Sequence, residues 1–311
     1  PVYREDLGAC HLALKLRKPT KWVAPRSEDF LTTIQGRCRA MTSEMALRKD
    51  GKILGLKVKV VANLGAYLHS STAGPPQRML GMACGSYQIQ DCRVEIVAVF
   101  TNTCPTGPYR GAGRPESVLN IERLLDKAAA VLGIDRLEIR RKNFIQPGQF
   151  PYTTGTGVEY DSGDYEKPLN EALKIADYAK LLSRRDERRK NGEIVGVGFS
   201  TFVEPSGGAG FESGTVRVER TGEITVLTGS SSHGQGHETS WAQIAAELMK
   251  TSMDHVTILH GDTHVSQQGT GTFGSRSAVV GGGALATAAQ RVIAKGKRIA
   301  AHLVEASPED I

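Results

Sequence analysis

An apolar-rich stretch over residues 53–68 follows an Asp50-Gly51 turn, and apolar and polar residues alternate with a period of two over 93–103, so both stretches are predicted to be β-strands. The period then changes. Between residues 117 and 132 the apolar positions Val118, Ile121, Leu124, Leu125 and Ala128 fall on one face of a helix, and Gly133 supplies its stop. Residues 143–165 are rich in Gly, Pro, Thr and Tyr and read as a long connection, with a charged helix over 167–191 behind it. A second region opens with the apolar run 195–203. It continues as a hairpin of residues 214–218 and 224–228 about Thr221-Gly222, a helix over 238–249, a strand over 255–260 and a long Ala-rich helix over 278–305. No repeat of fixed period is visible. Strands and helices mix without a strict βαβ alternation, which predicts an α+β fold of two mixed α/β lobes. The expected lobes are 1–145 and 193–311, joined by a connection over 146–192. Both are expected to be incomplete, because the first and last residues continue patterns already under way.

Composition changes this picture little. With 311 residues, 40% hydrophobic and 23% charged, the chain can bury two cores of an ordinary globular kind. No apolar run reaches the roughly 18 residues of a membrane span, and no signal segment opens the chain. Part of the net charge of +6 sits in Arg184-Arg185-Asp186-Glu187-Arg188-Arg189-Lys190, where interleaved acids predict a solvated helix face. No aromatic platform or nucleic-acid motif accompanies it, so no nucleic-acid partner is expected; attraction for a small anion or a nucleotide cofactor is as good an account. Cys10, Cys38, Cys84, Cys92 and Cys104 form no CxxC pair, which removes a zinc knuckle or an iron–sulfur ligand set and points to a reducing, cytoplasmic compartment.

Three Gly-rich segments carry the candidate chemistry, because bare backbone lets successive N–H groups converge on an anion. The first, Thr106-Gly107-Pro108-Tyr109-Arg110-Gly111-Ala112-Gly113-Arg114-Pro115-Glu116, joins a strand to a helix N-terminus. A tight turn with exposed arginines is the alternative, and the GxGxxG dinucleotide spacing is absent. The second is Ser230-Ser231-Ser232-His233-Gly234-Gln235-Gly236-His237-Glu238-Thr239. Two glycines between His233 and His237 argue against a helical metal pair, whereas the Gln235 amide suits a ligand oxygen. The third comprises Gly261-Asp262-Thr263 and Gly269-Thr270-Gly271-Thr272-Phe273-Gly274-Ser275-Arg276-Ser277, where seven of the last nine residues are Gly, Ser or Thr. Its place before the long helix favours anion binding over a flexible surface loop. No GxSxG elbow or nucleophile triad can be assembled. The residues alone describe a binder of a phosphorylated ligand.

Taken together, Pro108 to Glu116, His233 to Thr239 and Gly269 to Ser277 resemble segments of the large, molybdenum-binding subunits of the xanthine dehydrogenase, aldehyde oxidase and carbon monoxide dehydrogenase family. The stretch Gln149-Phe150-Pro151-Tyr152, with Thr156-Gly157-Val158-Glu159-Tyr160-Asp161-Ser162-Gly163-Asp164-Tyr165, is similar to that family's connection between lobes. The resemblance runs in order along nearly the whole chain and identifies it as an internal piece of such a subunit. It implies molybdenum held by the sulfurs of a molybdopterin, commonly the cytosine dinucleotide, with no metal ligand from the protein.

By the same resemblance, Gln235 faces an oxo group of the metal, the Arg110-Gly111 backbone lies beside metal and substrate, and Arg78 orients substrate. Gly234, Gly236, His237 and Thr239, with Gly269, Thr270, Gly271, Thr272, Gly274, Ser275, Arg276 and Ser277, hold the pterin and phosphates. The implied reaction is hydroxylation of an aldehyde or N-heterocycle with oxygen from water, electrons leaving through 2Fe-2S and FAD partner subunits in a larger hetero-oligomer. Gly111-Ala112-Gly113 stands where carbon monoxide-oxidising members carry a copper-binding cysteine, so a relative of those enzymes without the copper site is one alternative. A non-catalytic scaffold is the other. The family's general-base glutamate has no counterpart here; Glu204 and Glu212 sit in no matching motif, and the chain by itself is expected to be inactive.

Overall fold

In the computed structural model, described for residues 3–207, 210–265 and 268–311, the chain forms two compact units, 1–204 and 205–311. The first contains helices α1 (Arg4–Leu16) and α2 (Arg26–Thr32), strands β1 (Arg39–Leu47) and β2 (Ile53–Gly65), helix α3 (Gly74–Gly81), strand β3 (Asp91–Phe100), and helices α4 (Arg114–Leu132) and α5 (Arg136–Asn143). A two-stranded ribbon of β4 (Tyr152–Thr153) and β5 (Glu159–Tyr160) and helices α6 (Glu166–Ile175) and α7 (Tyr178–Lys190) complete it. The second contains β6 (Gly214–Val218), β7 (Ile224–Thr228), α8 (His237–Met249), β8 (Val256–Leu259) and α9 (Gly282–Val304).

Each unit is built on the same order of elements. β2 runs antiparallel to β1 and parallel to β3, and β7 runs antiparallel to β6 and parallel to β8. A parallel pair needs a crossover. α3 supplies it in the first unit and α8 in the second, while α4 and α9 follow the third strands. This duplication is one of topology, with no counterpart in a sequence period.

In the first unit β2 turns Leu56, Val58, Val60 and Ala62 inward and Lys57 and Lys59 outward. The inward row meets Ile121, Leu125, Ala128 and Ala129 of α4 in one core. In the second, Val216, Ile224 and Val226 meet Trp241 and Ala245 of α8 and Leu285 and Ala289 of α9.

Several expectations change on folding. The charged helix over 167–191 is two helices, broken where Asp177 adopts a left-handed backbone (φ 45°), a conformation aspartate tolerates better than most residues. α7 carries no buried residue, so the Arg184–Lys190 run lies on a solvated helix. α4 begins at Arg114, three residues ahead of expectation, with proline in its first turn. The long helix opens with a π turn over Ser277–Gly281. Residues 195–203 form no strand and pack on the first unit, so the packing boundary falls after Glu204 rather than at 193.

A buried polar network makes that attachment. The Glu122 carboxylate accepts from Arg140 Nε at 3.0 Å, Thr201 N–H at 3.0 Å, Thr201 Oγ1 at 3.2 Å and the Tyr87 hydroxyl. Burial, then the neighbouring carboxylate, pushes the Tyr87 phenol well above its ordinary range. A phenol whose folded pKa is raised adds stability below its unfolded pKa and loses it as pH rises from there. Urea midpoints are therefore expected to fall above roughly pH 10 in the wild type and to fall less in Tyr87→Phe; identical slopes would remove Tyr87 from the linkage.

Candidate functional site

In the second unit the Gly-rich segments leave the ends of adjacent parallel strands, β7 and β8, and each leads to a helix N-terminus. They meet through glycine. A Cβ on Gly229 would lie 2.1 Å from the Gln268 carbonyl oxygen, and one on Gly269 would lie 2.6 Å from that of Gly229. The Ser213 hydroxyl donates to Gln268 O, and Gly229 N–H donates to Ser213 O at 3.2 Å.

His260, at the end of β8, joins the segments a second time. Its Nε2 is 2.8 Å from Glu238 Oε1 at the start of α8, and its Nδ1 is 3.3 Å from Ser231 Oγ. The Glu238 carboxyl is held below the usual range by its own backbone N–H, then by His260. Ser231, His260 and Glu238 thus form a hydrogen-bonded line that the sequence did not reveal. The signal was a histidine beside the Gly261-Asp262 turn, with no separation in sequence to relate it to Glu238.

Gln235 is exposed, its Oε1 accepting from His233 N–H at 2.5 Å and its amide nitrogen left free among the described residues. His237 packs on the Trp241 ring, with centroids 4.9 Å apart. Its Nδ1 and the Ser230 hydroxyl are buried without a hydrogen-bond partner among the described residues. Thr239 is exposed.

The third segment divides in two. Thr270 and Gly271 donate their N–H groups to Glu212 Oε1 at 3.1 and 2.9 Å, and the Arg276 guanidinium closes on the same oxygen. Arg276 also donates to Gly271 O at 2.7 Å and Phe211 O at 3.2 Å, and its side chain is fully buried. An internal carboxylate therefore holds this guanidinium. The amides of Thr272, Phe273, Gly274 and Ser275, by contrast, have no partner among the described residues. They run directly into the π turn, where the Ser277 hydroxyl lies 3.3 Å from Thr272 Oγ1.

In the first unit the 106–113 segment lies against α3, with the Gly113 Cα so close that a Cβ would fall 1.9 Å from Pro75 O. Arg37 donates to Glu116 Oε2 at 2.9 Å and to the Arg110 carbonyl, which leaves the Arg110 side chain exposed. Gly111 packs on the Pro115 ring, and Arg78 is exposed on α3. Neither carboxylate considered in the sequence is free: Glu204 pairs with Arg114 at 3.0 Å and Glu212 with Arg276. No group of three His, Cys, Asp or Glu that could hold a metal occurs among the described residues. A cleft of about 470 Å³ lies elsewhere in this unit, between Phe144, Pro147 and Tyr165, and none of the Gly-rich segments lines it.

Two strand-to-helix, Gly-rich cradles built on one repeated topology match the Molybdopterin cofactor-binding domain over residues 1–144 and again, in a second domain of that description, over 171–311. The chain belongs to this family, that of the molybdenum hydroxylase large subunits. It is 37% identical over its full length to the 6-hydroxypseudooxynicotine dehydrogenase complex subunit gamma of Paenarthrobacter nicotinovorans and covers 40% of that protein. It is 39% identical, again over its full length, to the carbon monoxide dehydrogenase large chain of Hydrogenophaga pseudoflava, of which it covers 41%. Among solved structures, quinoline 2-oxidoreductase from Pseudomonas putida 86 superposes with a TM-score of 0.92 at 34% identity, covering all of this chain and 41% of that one. The chain thus spans about two fifths of the length of these relatives. No helix among the described residues is long and apolar enough to cross a membrane.

Proposed function

We propose that this chain is the molybdopterin-holding part of a molybdenum hydroxylase acting on an aldehyde or N-heterocycle. One observation carries the reading: four consecutive unpartnered amides, at 272–275, stand at the head of a long helix in a chain of this family. The residues fit the group. Free N–H groups suit phosphate oxygens, and the buried Ser230 hydroxyl and His237 Nδ1 await a polar partner. When bound, the cofactor supplies oxidative hydroxylation with oxygen from water, and the protein supplies binding, orientation and electrostatics.

The roles divide by unit. Gly234, Gly236, His237 and Thr239 would line the approach of the pterin, and the Gln235 amide would contact an oxygen of the bound group. Gly269, Thr270 and Gly271 shape the third segment, and Thr272, Gly274, Ser275 and Ser277 take the phosphates. Arg276 contributes through its backbone. By the resemblance, Arg110 and Gly111 of the first unit would lie toward the metal and substrate, and Arg78 would orient the substrate. The dinucleotide form with cytosine, partner subunits carrying 2Fe-2S and FAD, and a larger hetero-oligomer complete the reading. The five unpaired cysteines support a reducing, cytoplasmic setting. Gly111-Ala112-Gly113 offers no thiolate for copper, which argues against carbon monoxide as substrate.

The purified protein is expected to contain molybdenum and pterin in equal amounts and to release a cytosine nucleotide on acid hydrolysis. Absence of both pterin and metal would refute the reading. With Glu204 and Glu212 both engaged by arginines, the 311-residue chain alone is expected to reduce no dye with an aldehyde or N-heterocycle. Molybdenum-dependent dye reduction by that chain would place a general base within it.

A further inference from the structure

The Glu212–Arg276 pair does something that the Gly-rich composition of its segment hides. A carboxylate of the protein occupies the first two amides of a loop whose composition suits an external anion. Glu212 Oε1 accepts from Thr270 N–H at 3.1 Å, Gly271 N–H at 2.9 Å and Arg276. The carboxylate is fully buried, and its Oε2 has no partner among the described residues. Such a carboxylate is stable only while its counter-charge and donors stay in place, so it holds the loop to one shape. Beyond Gly271 the amides are free.

The first unit repeats the device with the charges exchanged. Glu212 stands two residues before β6, and Arg37 stands two residues before β1. Arg276 stands at the head of the π turn leading into α9, and Glu116 lies in the first turn of α4. Arg37 pairs with Glu116 at 2.9 Å and also takes a carbonyl of the Gly-rich segment, that of Arg110, as Arg276 takes that of Gly271. The same place in each unit therefore clamps the strand-to-helix segment by a buried or half-buried ion pair. Charge order is free to reverse because the clamp needs opposite signs and no particular sign.

We propose that Glu212 and Arg276 are positioning residues that act as an internal counter-anion and its clamp. They fill the amides of Thr270 and Gly271 and so direct an external phosphate to the amides of 272–275. The proposal rests on the molybdopterin reading for the identity of that phosphate. The division of the loop into filled and open amides stands without any bound group, so its failure is distinguishable from that of the molybdopterin reading.

The experiment is hydrogen exchange resolved to single amides, on unloaded and cofactor-loaded protein, together with pterin and molybdenum content. In unloaded wild type, Thr270 and Gly271 are expected to be protected and 272–275 to exchange freely; loading is expected to protect 272–275. Glu212→Gln keeps the shape and removes the charge. It is expected to speed exchange at Thr270 and Gly271 by about tenfold or more and to lower pterin retention through gel filtration by a similar factor. Arg276→Lys, which keeps the charge and loses the two-pronged geometry, is expected to show the same pattern more weakly, and it serves if Glu212→Gln does not fold. Unprotected Thr270 and Gly271 in the unloaded wild type, or wild-type exchange and retention in both variants, would overturn the proposal. A wild type devoid of pterin would instead sink the molybdopterin reading and leave the unloaded exchange to decide this one.

Discussion

Arg140→Met is expected to destabilise the first unit by about 3–5 kcal/mol, because it strips a buried carboxylate of its counter-charge. Arg140 is fully buried. It bonds Glu122 Oε2 at 3.0 Å, Asp126 Oδ1 at 3.0 Å and the carbonyls of Glu122 and Arg136, and it stacks on the Phe199 ring at 4.7 Å. Methionine fills much of the volume, so the loss is mainly electrostatic. Changing both partners, Arg140→Met with Glu122→Leu, should recover part of it, since the apolar pair leaves no buried charge and the half-exposed Asp126 keeps Arg136 at 3.8 Å. The hydrogen bonds from Thr201 and Tyr87 go with Glu122, so recovery is expected to be incomplete. Urea unfolding measures both. A single variant within about 1 kcal/mol of wild type would show that water reaches Glu122 once Arg140 is gone.

The second large effect concerns the 106–113 segment, which the proposed function sets beside the cofactor. Gly113→Ala should reduce pterin and molybdenum per chain by about tenfold or more, since two costs add at one atom. The new Cβ would lie 1.9 Å from the backbone oxygen of Pro75, and the residue sits at φ 98°, which L side chains rarely adopt. Neither side of the contact yields easily, Pro75 being backbone in the first turn of α3 and Gly113 itself the N-cap of α4. The 106–113 segment has to move away from α3, carrying Arg110 and Gly111 with it. Overpacking of this kind costs roughly 1–3 kcal/mol before the backbone strain is added. Gly133→Ala is the control: φ is positive there too, at 67°, but a Cβ meets nothing within 4 Å. Its cost should be about 1 kcal/mol of stability with cofactor content unchanged. Equal pterin content in the two variants would mean that the contact with Pro75 does not set the cradle.

How far the chain could be read in advance varied with the range of the interaction. The hairpin of β6 and β7 was predicted to the residue, because alternation and a Gly turn are local signals. β1 was missed: Arg39 to Leu47 alternates only weakly, and its alanines and methionines carry little strand preference. The break between α6 and α7 was missed for a similar reason, since an aspartate in a left-handed conformation leaves little trace in a charged run. The three Gly-rich segments were legible as candidate sites, because bare backbone before a helix is a feature of composition.

Their internal division was not. Whether the Arg276 guanidinium meets a ligand or a protein carboxylate depends on Glu212, 64 residues earlier, and the tie of Arg37 to Glu116 spans 79. The line of Ser231, His260 and Glu238 likewise draws on three elements.

For this protein, then, the sequence by itself determined the elements of the second unit and β2, β3 and α4 of the first, the three segments able to approach an anion, and the family to which they point; α1, α2, β1, α3 and α5 were not read from it. Period, turn chemistry and composition act within a few residues, so they can be read without folding the chain. Only the tertiary structure decided that the two units repeat one topology, that residues 195–203 pack with the first unit, and which amides of the third segment remain open. Those outcomes depend on which distant charges and strand ends are brought together, and burial then makes each pairing obligatory, because an unpaired buried charge or amide is costly.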